Sequence, residues 1–99
     1  MYYVYVILCR RGRKLSFYTG YTKNLKNRIK QHIEGKGARY LRGNKVKKLY
    51  YVEKYRTQRK AIQREREIKK FTHLEKKKLI ERPFDCKLVE NINNALELS

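Results

Sequence analysis

Tyr2-Tyr3-Val4-Tyr5-Val6-Ile7-Leu8 is aromatic and β-branched with no polar alternation. Such a run reads as a strand buried on both faces, and therefore central in its sheet. Arg11-Gly12-Arg13-Lys14 breaks the run, and Leu15 to Thr19 reads as a second strand returning as a hairpin. Asn24 is placed to cap a helix from Leu25 to about Glu34, which Gly35 and Gly37 end. Lys48 to Val52 reads as a third strand, and Thr57 caps a helix from Gln58 to about Phe71. Thr72 followed by Glu75 is a capping box, opening a helix from His73 to about Glu81 that must stop before Pro83. Beyond Pro83 the pattern weakens, with a short last helix expected over 91–98.

The order β-β-α-β-α-α predicts an α+β fold, a three-stranded antiparallel sheet flanked by helices. With 99 residues there is room for one core domain, placed at 1–82 and followed by a C-terminal segment, 83–99. No apolar run reaches membrane-span length and no cleavage pattern follows the first strand. Cys9 and Cys86 lack metal-type spacing, so both are expected as reduced, buried thiols in a cytoplasmic protein.

Charge then narrows the partner. The formal net charge is +18, and the basic residues avoid the first strand while crowding residues 10–82, where 26 Lys and Arg face 6 acids. A small folded domain so charged is matched by the phosphate backbone of a nucleic acid, because neutralised phosphates release condensed counterions. A basic amphipathic helix for anionic lipid is not found.

Against that background the acids stand out. On a helical wheel Glu65 falls between Ile62 on one side and Ala61 and Ile68 on the other, in the middle of the apolar face, while Glu67 points away. A carboxylate there must be paired with a cationic side chain or bound to a metal ion, and the wheel does not choose between them. On the first helix Leu25, Ile29 and Ile33 form the apolar stripe, and Arg28 and His32 lie along its edge, able to reach a site against the sheet. An arginine so placed suits bidentate phosphate binding, and the histidine is either a hydrogen-bonded core residue or a catalytic one. All nine tyrosines precede residue 56; Tyr3, Tyr5 and Tyr18 fall on the first two strands, and Tyr21, Tyr40, Tyr50 and Tyr55 could stack on bases as well as pack.

Tyr3-Val4-Tyr5, then Tyr18-Thr19-Gly20, Asn24-Leu25, Arg28, His32 and Ala61-Ile62-Gln63-Arg64-Glu65 together form an ordered pattern. This pattern resembles the GIY-YIG nuclease superfamily, most closely its small single-domain bacterial members. The likeness covers residues 2–82, with Tyr3 standing where the family name has Gly and Thr19 where it has Ile. Excision-repair relatives carry a lysine where this chain has Tyr21. The resemblance implies a metal-dependent endonuclease that hydrolyses a phosphodiester bond in DNA with one Mg²⁺ (or Mn²⁺). It places the metal ligand at Glu65, the motif tyrosines at Tyr5 and Tyr18, the active-site arginine at Arg28, and at His32 a histidine that some branches carry. Tyr5 is then the base, and Lys23, Lys36, Arg39, Tyr40 and Arg42 are expected to bind the nucleic acid. The competing readings are a non-catalytic nucleic-acid-binding module that keeps the fold and a component of a ribonucleoprotein particle.

Overall fold

The first strand lies in the middle of the sheet, as its unbroken apolar run requires. In a computed structural model, which describes residues 1–35 and 44–98, β1 (Tyr2–Arg11) is flanked by β2 (Lys14–Thr22) and β3 (Lys45–Tyr55), both antiparallel to it. The sheet order is β2-β1-β3. Alternate side chains of β1 enter two separate cores. Tyr5, Ile7 and Cys9 face α1 (Leu25–Ile33) and the C-terminal helix, where Leu25, Ile29, Leu49, Val52 and Ile92 complete one cluster. Val4 and Val6 face the other way, onto Tyr51, Ala61, Ile68 and Leu79 under α2 (Gln58–Lys69).

The helix starts follow the capping residues. Asn24 accepts from the Asn27 N–H at 3.2 Å, and Thr57 accepts from Lys60 at 3.3 Å. Gly35 follows α1 with φ +77°, a left-handed position that suits a residue without Cβ. The other glycine expected to end this helix, Gly37, lies outside the described residues. The capping box is formed on both sides, with Thr72 N–H on Glu75 Oε1 at 2.9 Å and Glu75 N–H on Thr72 Oγ1 at 3.1 Å.

Several boundaries differ from expectation. The strands β2 and β3 are longer than the apolar runs that announced them, because their polar ends still complete ladders with β1. The single helix expected over 73–81 divides into α3 (His73–Lys77) and a tight 3₁₀ turn, Lys78–Glu81, which turns Leu79 into the α2-side core. The last helix starts earlier than expected: α4 is Cys86–Ala95, capped by Asp85, whose carboxylate accepts from Leu88 N–H at 2.9 Å. An aspartate three residues ahead of Leu88-Val89 is the cap signal that the 91–98 reading passed over.

The helix α4 is fastened to the sheet edge. Asn93 Oδ1 accepts from Leu49 N–H at 2.8 Å and Asn93 Nδ2 donates to Leu49 C=O at 2.9 Å, occupying backbone groups that an edge strand would otherwise leave open. Both cysteines are free, but only Cys9 is buried; Cys86 is exposed at the start of α4. Cys86 and Lys87 face solvent while Leu88 and Val89 pack on the core, which corrects the expectation of two buried thiols.

Thr19, opposite Val6 on the α2 side, is buried, and its hydroxyl has no hydrogen-bond partner among the described residues. A buried unpaired hydroxyl is destabilising, so Thr19→Val, which keeps the shape, is expected to raise unfolding stability by about 1 kcal/mol. Urea denaturation, read as a midpoint shift at unchanged slope, measures it.

Candidate active site

Side chains from both faces of the sheet converge at the Gly20 stretch of β2. Tyr5 projects from β1 across Gly20 of β2, Arg28 comes from α1 on one face of the sheet, and Glu65 comes from α2 on the other. Together with Tyr18 and Gln31 they line a cleft of about 500 Å³. Gly20 is what admits the tyrosine. A Cβ on this residue would lie 2.5 Å from the Tyr5 hydroxyl oxygen and 2.7 Å from its Cζ, closer than any side chain can sit.

The Tyr5 hydroxyl is 2.7 Å from His32 Nε2. His32 is buried, and its Nδ1 has no partner among the described residues. A buried N–H without an acceptor is rarer than an unused acceptor, which places the ring proton on Nε2, donating to the Tyr5 oxygen. The phenol's own O–H is then free to turn into the cleft. Burial, with the Arg28 charge adding to it, lowers the His32 pKa to about 4, so the ring is neutral at pH 7. Burial raises Tyr5 well above its ordinary pKa of 10, and the nearby Tyr18 and Glu65 push the same way, while the Arg28 guanidinium draws it back. Burial likewise raises Tyr18, opposed by Arg28 and reinforced by Glu65. Tyr18 packs against both partners, its ring centroid 6.5 Å from Tyr5 and edge-on to His32 at 5.2 Å.

The sequence placed both Arg28 and His32 at the edge of the helix stripe. Arg28 reaches the cleft, but His32 stands behind Tyr5 and touches the site through it. Sequence reasoning passed over Gln31, whose Oε1 accepts from Arg28 Nη1 at 3.0 Å and fixes the guanidinium at the cleft wall. The i, i+3 spacing of Arg28 and Gln31 carries that signal.

Glu65 is 14% exposed at its side chain, and its carboxylate lies 3.6 Å from Lys69 Nζ, itself half exposed. The pairing that the wheel left open is thus with a lysine one turn along, and a contact so long and so wet is given up at small cost. Its rotation into the cleft is set from behind. The neighbouring Arg64 clasps Glu53 of β3 through Nε at 3.0 Å and Nη2 at 3.2 Å, and Glu53 also accepts from Tyr51 and from Tyr55 at 2.5 Å. Burial works against the Glu53 charge, yet the hydrogen bonds from Arg64, Tyr51 and Tyr55 hold its pKa below the ordinary carboxylate value. Tyr51, Glu53 and Tyr55 share one face of β3 by period two, a pattern visible in the sequence but not used.

Among the described residues no three His, Cys, Asp or Glu side chains converge as a metal cage. One carboxylate in an open cleft fits a Mg²⁺-type ion, which keeps several waters and takes one protein oxygen beside substrate phosphates. Lys23, expected to bind nucleic acid, is exposed at the β2–α1 turn beside the cleft, with Nζ 5.4 Å from the Tyr2 ring centroid. The other four expected contacts, Lys36, Arg39, Tyr40 and Arg42, lie outside the described residues.

A central strand bearing a tyrosine, a glycine opposite it, and an arginine and a glutamate closing on both from separate helices recur in one family. The chain belongs to it: the GIY-YIG catalytic domain matches residues 1–79. Membership implies a nuclease that binds nucleic acid, and nucleases of this family are generally dependent on a divalent metal. The chain is similar to a UPF0213 protein of Oceanobacillus iheyensis, 45% identical over 80 residues that cover 81% of this chain and 90% of that one. A UPF0213 protein of Clostridium perfringens is 46% identical over 80 residues, covering 81% and 83%. The solution NMR structure of a UPF0213 protein from Bacillus halodurans aligns over the full length of both chains at 29% identity and a TM-score of 0.48. No helix among the described residues is long and apolar enough to cross a membrane.

Proposed function

We propose that the chain is a divalent-metal-dependent endonuclease that hydrolyses one phosphodiester bond in branched, damaged or single-stranded DNA in the cytoplasm, with residues 1–82 as the catalytic unit. The carrying observation is the single cleft in which a histidine-held tyrosine, an arginine and a half-buried carboxylate face one another. Binding a polyanion alone is weakened by a carboxylate at the contact; hydrolysing it has a use for one.

Arg28, steadied by Gln31, binds the scissile phosphate and stabilises the charge that builds on it. The Tyr5 oxygen takes the proton of the attacking water, supported as a phenolate by the His32 N–H and the Arg28 charge. Water oxygen bonds to phosphorus as the bond to the 3′ oxygen breaks, leaving a 5′-phosphate and, once protonated, a 3′-hydroxyl. Tyr18 packs against the Tyr5 ring and holds its direction. His32 acts through Tyr5 and is a positioning residue. A divalent cation held at Glu65 would offset negative charge on the phosphate and on the departing oxygen. Lys23, beside the cleft, is assigned to the nucleic-acid backbone, and so, from the sequence alone, are Lys36, Arg39, Tyr40 and Arg42.

The test is cleavage of labelled single-stranded, duplex, flap and branched DNA and RNA with Mg²⁺ or EDTA. Metal-dependent nicking of at least one DNA structure is expected. Its pH dependence follows from the raised Tyr5 pKa: below that pKa the phenolate fraction grows tenfold per pH unit, so the single-turnover rate is expected to climb about 100-fold from pH 7 to 9. His32, already neutral there, adds no slope. Binding without cleavage of every substrate replaces this reading with the non-catalytic module or the ribonucleoprotein component.

A further inference from the structure

The end of the sheet away from the cleft carries charge that the fold does not balance. Arg10, Arg11, Arg13 and Lys14 surround the β1–β2 turn, and Lys45 and Lys47 open β3 beside them; all six are exposed. None makes an ion pair among the described residues. Worse for stability, like charges stand directly across from each other in the ladders, Arg11 opposite Lys14 and Arg10 opposite Lys45. Such cross-strand pairs repel, and each is destabilising relative to a neutral pair. One carboxylate comes near: Glu97 lines a hollow of about 380 Å³ with Arg10, Lys45 and Lys47, yet makes no ion pair with them. Arg10 is tied at Nε to Gly12 C=O at 3.0 Å, which holds the turn and leaves its outer nitrogens unspent.

The geometry points to this sheet end as the docking surface for a double-stranded arm of the substrate. The inference rests on the nucleic-acid reading of the cleft and adds where the rest of the polymer runs. Five residues of β1 separate Tyr5 from Arg10, about 17 Å at strand rise. That is roughly five base pairs of duplex at about 3.4 Å each. Lys14 of β2 and Lys45 and Lys47 of β3 flank Arg10 and Arg11 of the central strand, so the cations spread over two strand spacings, about 10 Å across the sheet. A patch that wide exceeds the single line of phosphates that a lone strand offers and suits the phosphates on either side of a duplex groove, which is about 6 Å wide in the minor groove and about 12 Å in the major. Repulsion within the ladders is then relieved on binding, when phosphates come between the cations.

The test uses fluorescence anisotropy in EDTA, so cleavage plays no part. Probes are a DNA duplex of about 15 base pairs, which outreaches the span from cleft to hairpin, and a single strand of the same length. One variant carries Arg10→Gln, Arg11→Gln, Arg13→Gln and Lys14→Gln. A charge-matched control carries Arg59→Gln, Lys60→Gln, Lys70→Gln and Lys77→Gln, all exposed elsewhere on the chain. The hairpin variant is expected to lose at least about tenfold in duplex affinity near 0.1 M salt, and its log affinity to fall less steeply with log salt, by about 3 in slope. It should lose less on the single strand, and the control should lose less on the duplex. Equal losses in the two variants, or a larger loss on the single strand, overturn the proposal. The hairpin variant should also melt at or above the parent temperature, because repulsion is removed; a lower melting temperature contradicts the premise. A hairpin-specific loss in a protein that never cleaves removes the nuclease reading and leaves this one standing. Undiminished duplex binding by the hairpin variant of an active nuclease removes this one alone.

Discussion

Glu65→Gln is expected to lower cleavage by about three orders of magnitude or more while leaving the protein folded and bound to its substrate. The three readouts separate because Glu65 does one job. It is the one carboxylate lining the cleft among the described residues, so an amide there withdraws the negative charge that a divalent cation requires. Loss of transition-state stabilisation on that scale corresponds to about 4 kcal/mol. Stability should move by less than about 0.5 kcal/mol, because the long ion pair to the half-exposed Lys69 contributes little and the amide fills the same space. Affinity for DNA in EDTA should hold or rise slightly, since a negative charge beside the phosphate has gone. Single-turnover cleavage, thermal melting and anisotropy on one preparation provide the comparison. Cleavage within tenfold of the parent would remove Glu65 from the site.

Gly20→Ala should damage the protein in a different way, costing both activity and stability. The new methyl would stand 2.5 Å from the Tyr5 hydroxyl oxygen and 3.3 Å from its Cε1, so the ring has to move. Tyr5 is almost wholly enclosed and held by His32, and Gly20 sits in ladder with it, so neither side yields freely. Overpacking of this kind costs about 1–3 kcal/mol, and a general base displaced by about 1 Å costs around 100-fold in rate. The double variant Gly20→Ala with Tyr5→Phe distinguishes the two effects. Removing the oxygen relieves the shortest clash but leaves the one with Cζ at 2.7 Å, so only part of the stability should return, while cleavage should fall to the Tyr5→Phe level or below. Urea unfolding and single-turnover rates of the four proteins complete the cycle. An alanine variant with parental rate would mean that Tyr5 does not work where it stands.

Much of this arrangement could be read in advance, and the reasons differ from one residue to another. The central strand was legible because burial on both faces leaves an unbroken apolar run, and Glu65 because a carboxylate among Ala61, Ile62 and Ile68 contradicts the helix's own pattern. The capping box at Thr72 and Glu75 was legible because its hydrogen bonds close over three residues. What stayed hidden depends on long-range contacts. The pairing of Asn93 with Leu49 spans 44 residues, and nothing local marks it. The placing of His32 behind Tyr5 follows from how α1 lies on the sheet, which helical periodicity does not determine. The clasp of Arg64 on Glu53 needs β3 and α2 to be packed before either residue has a meaning. Cys86 shows the opposite case: its exposure follows from a helix start set by Asp85, and the missed cap carried the thiol's environment with it.

Because β2 is an edge strand, no further strand among the described residues borders the cleft on its outer side. A polynucleotide can therefore be laid into it sideways, at any point along its length, with no terminus to be threaded through a tunnel. The same geometry gives no ratchet: once the bond is broken, neither product is encircled by the described residues, and each can leave by the route it came.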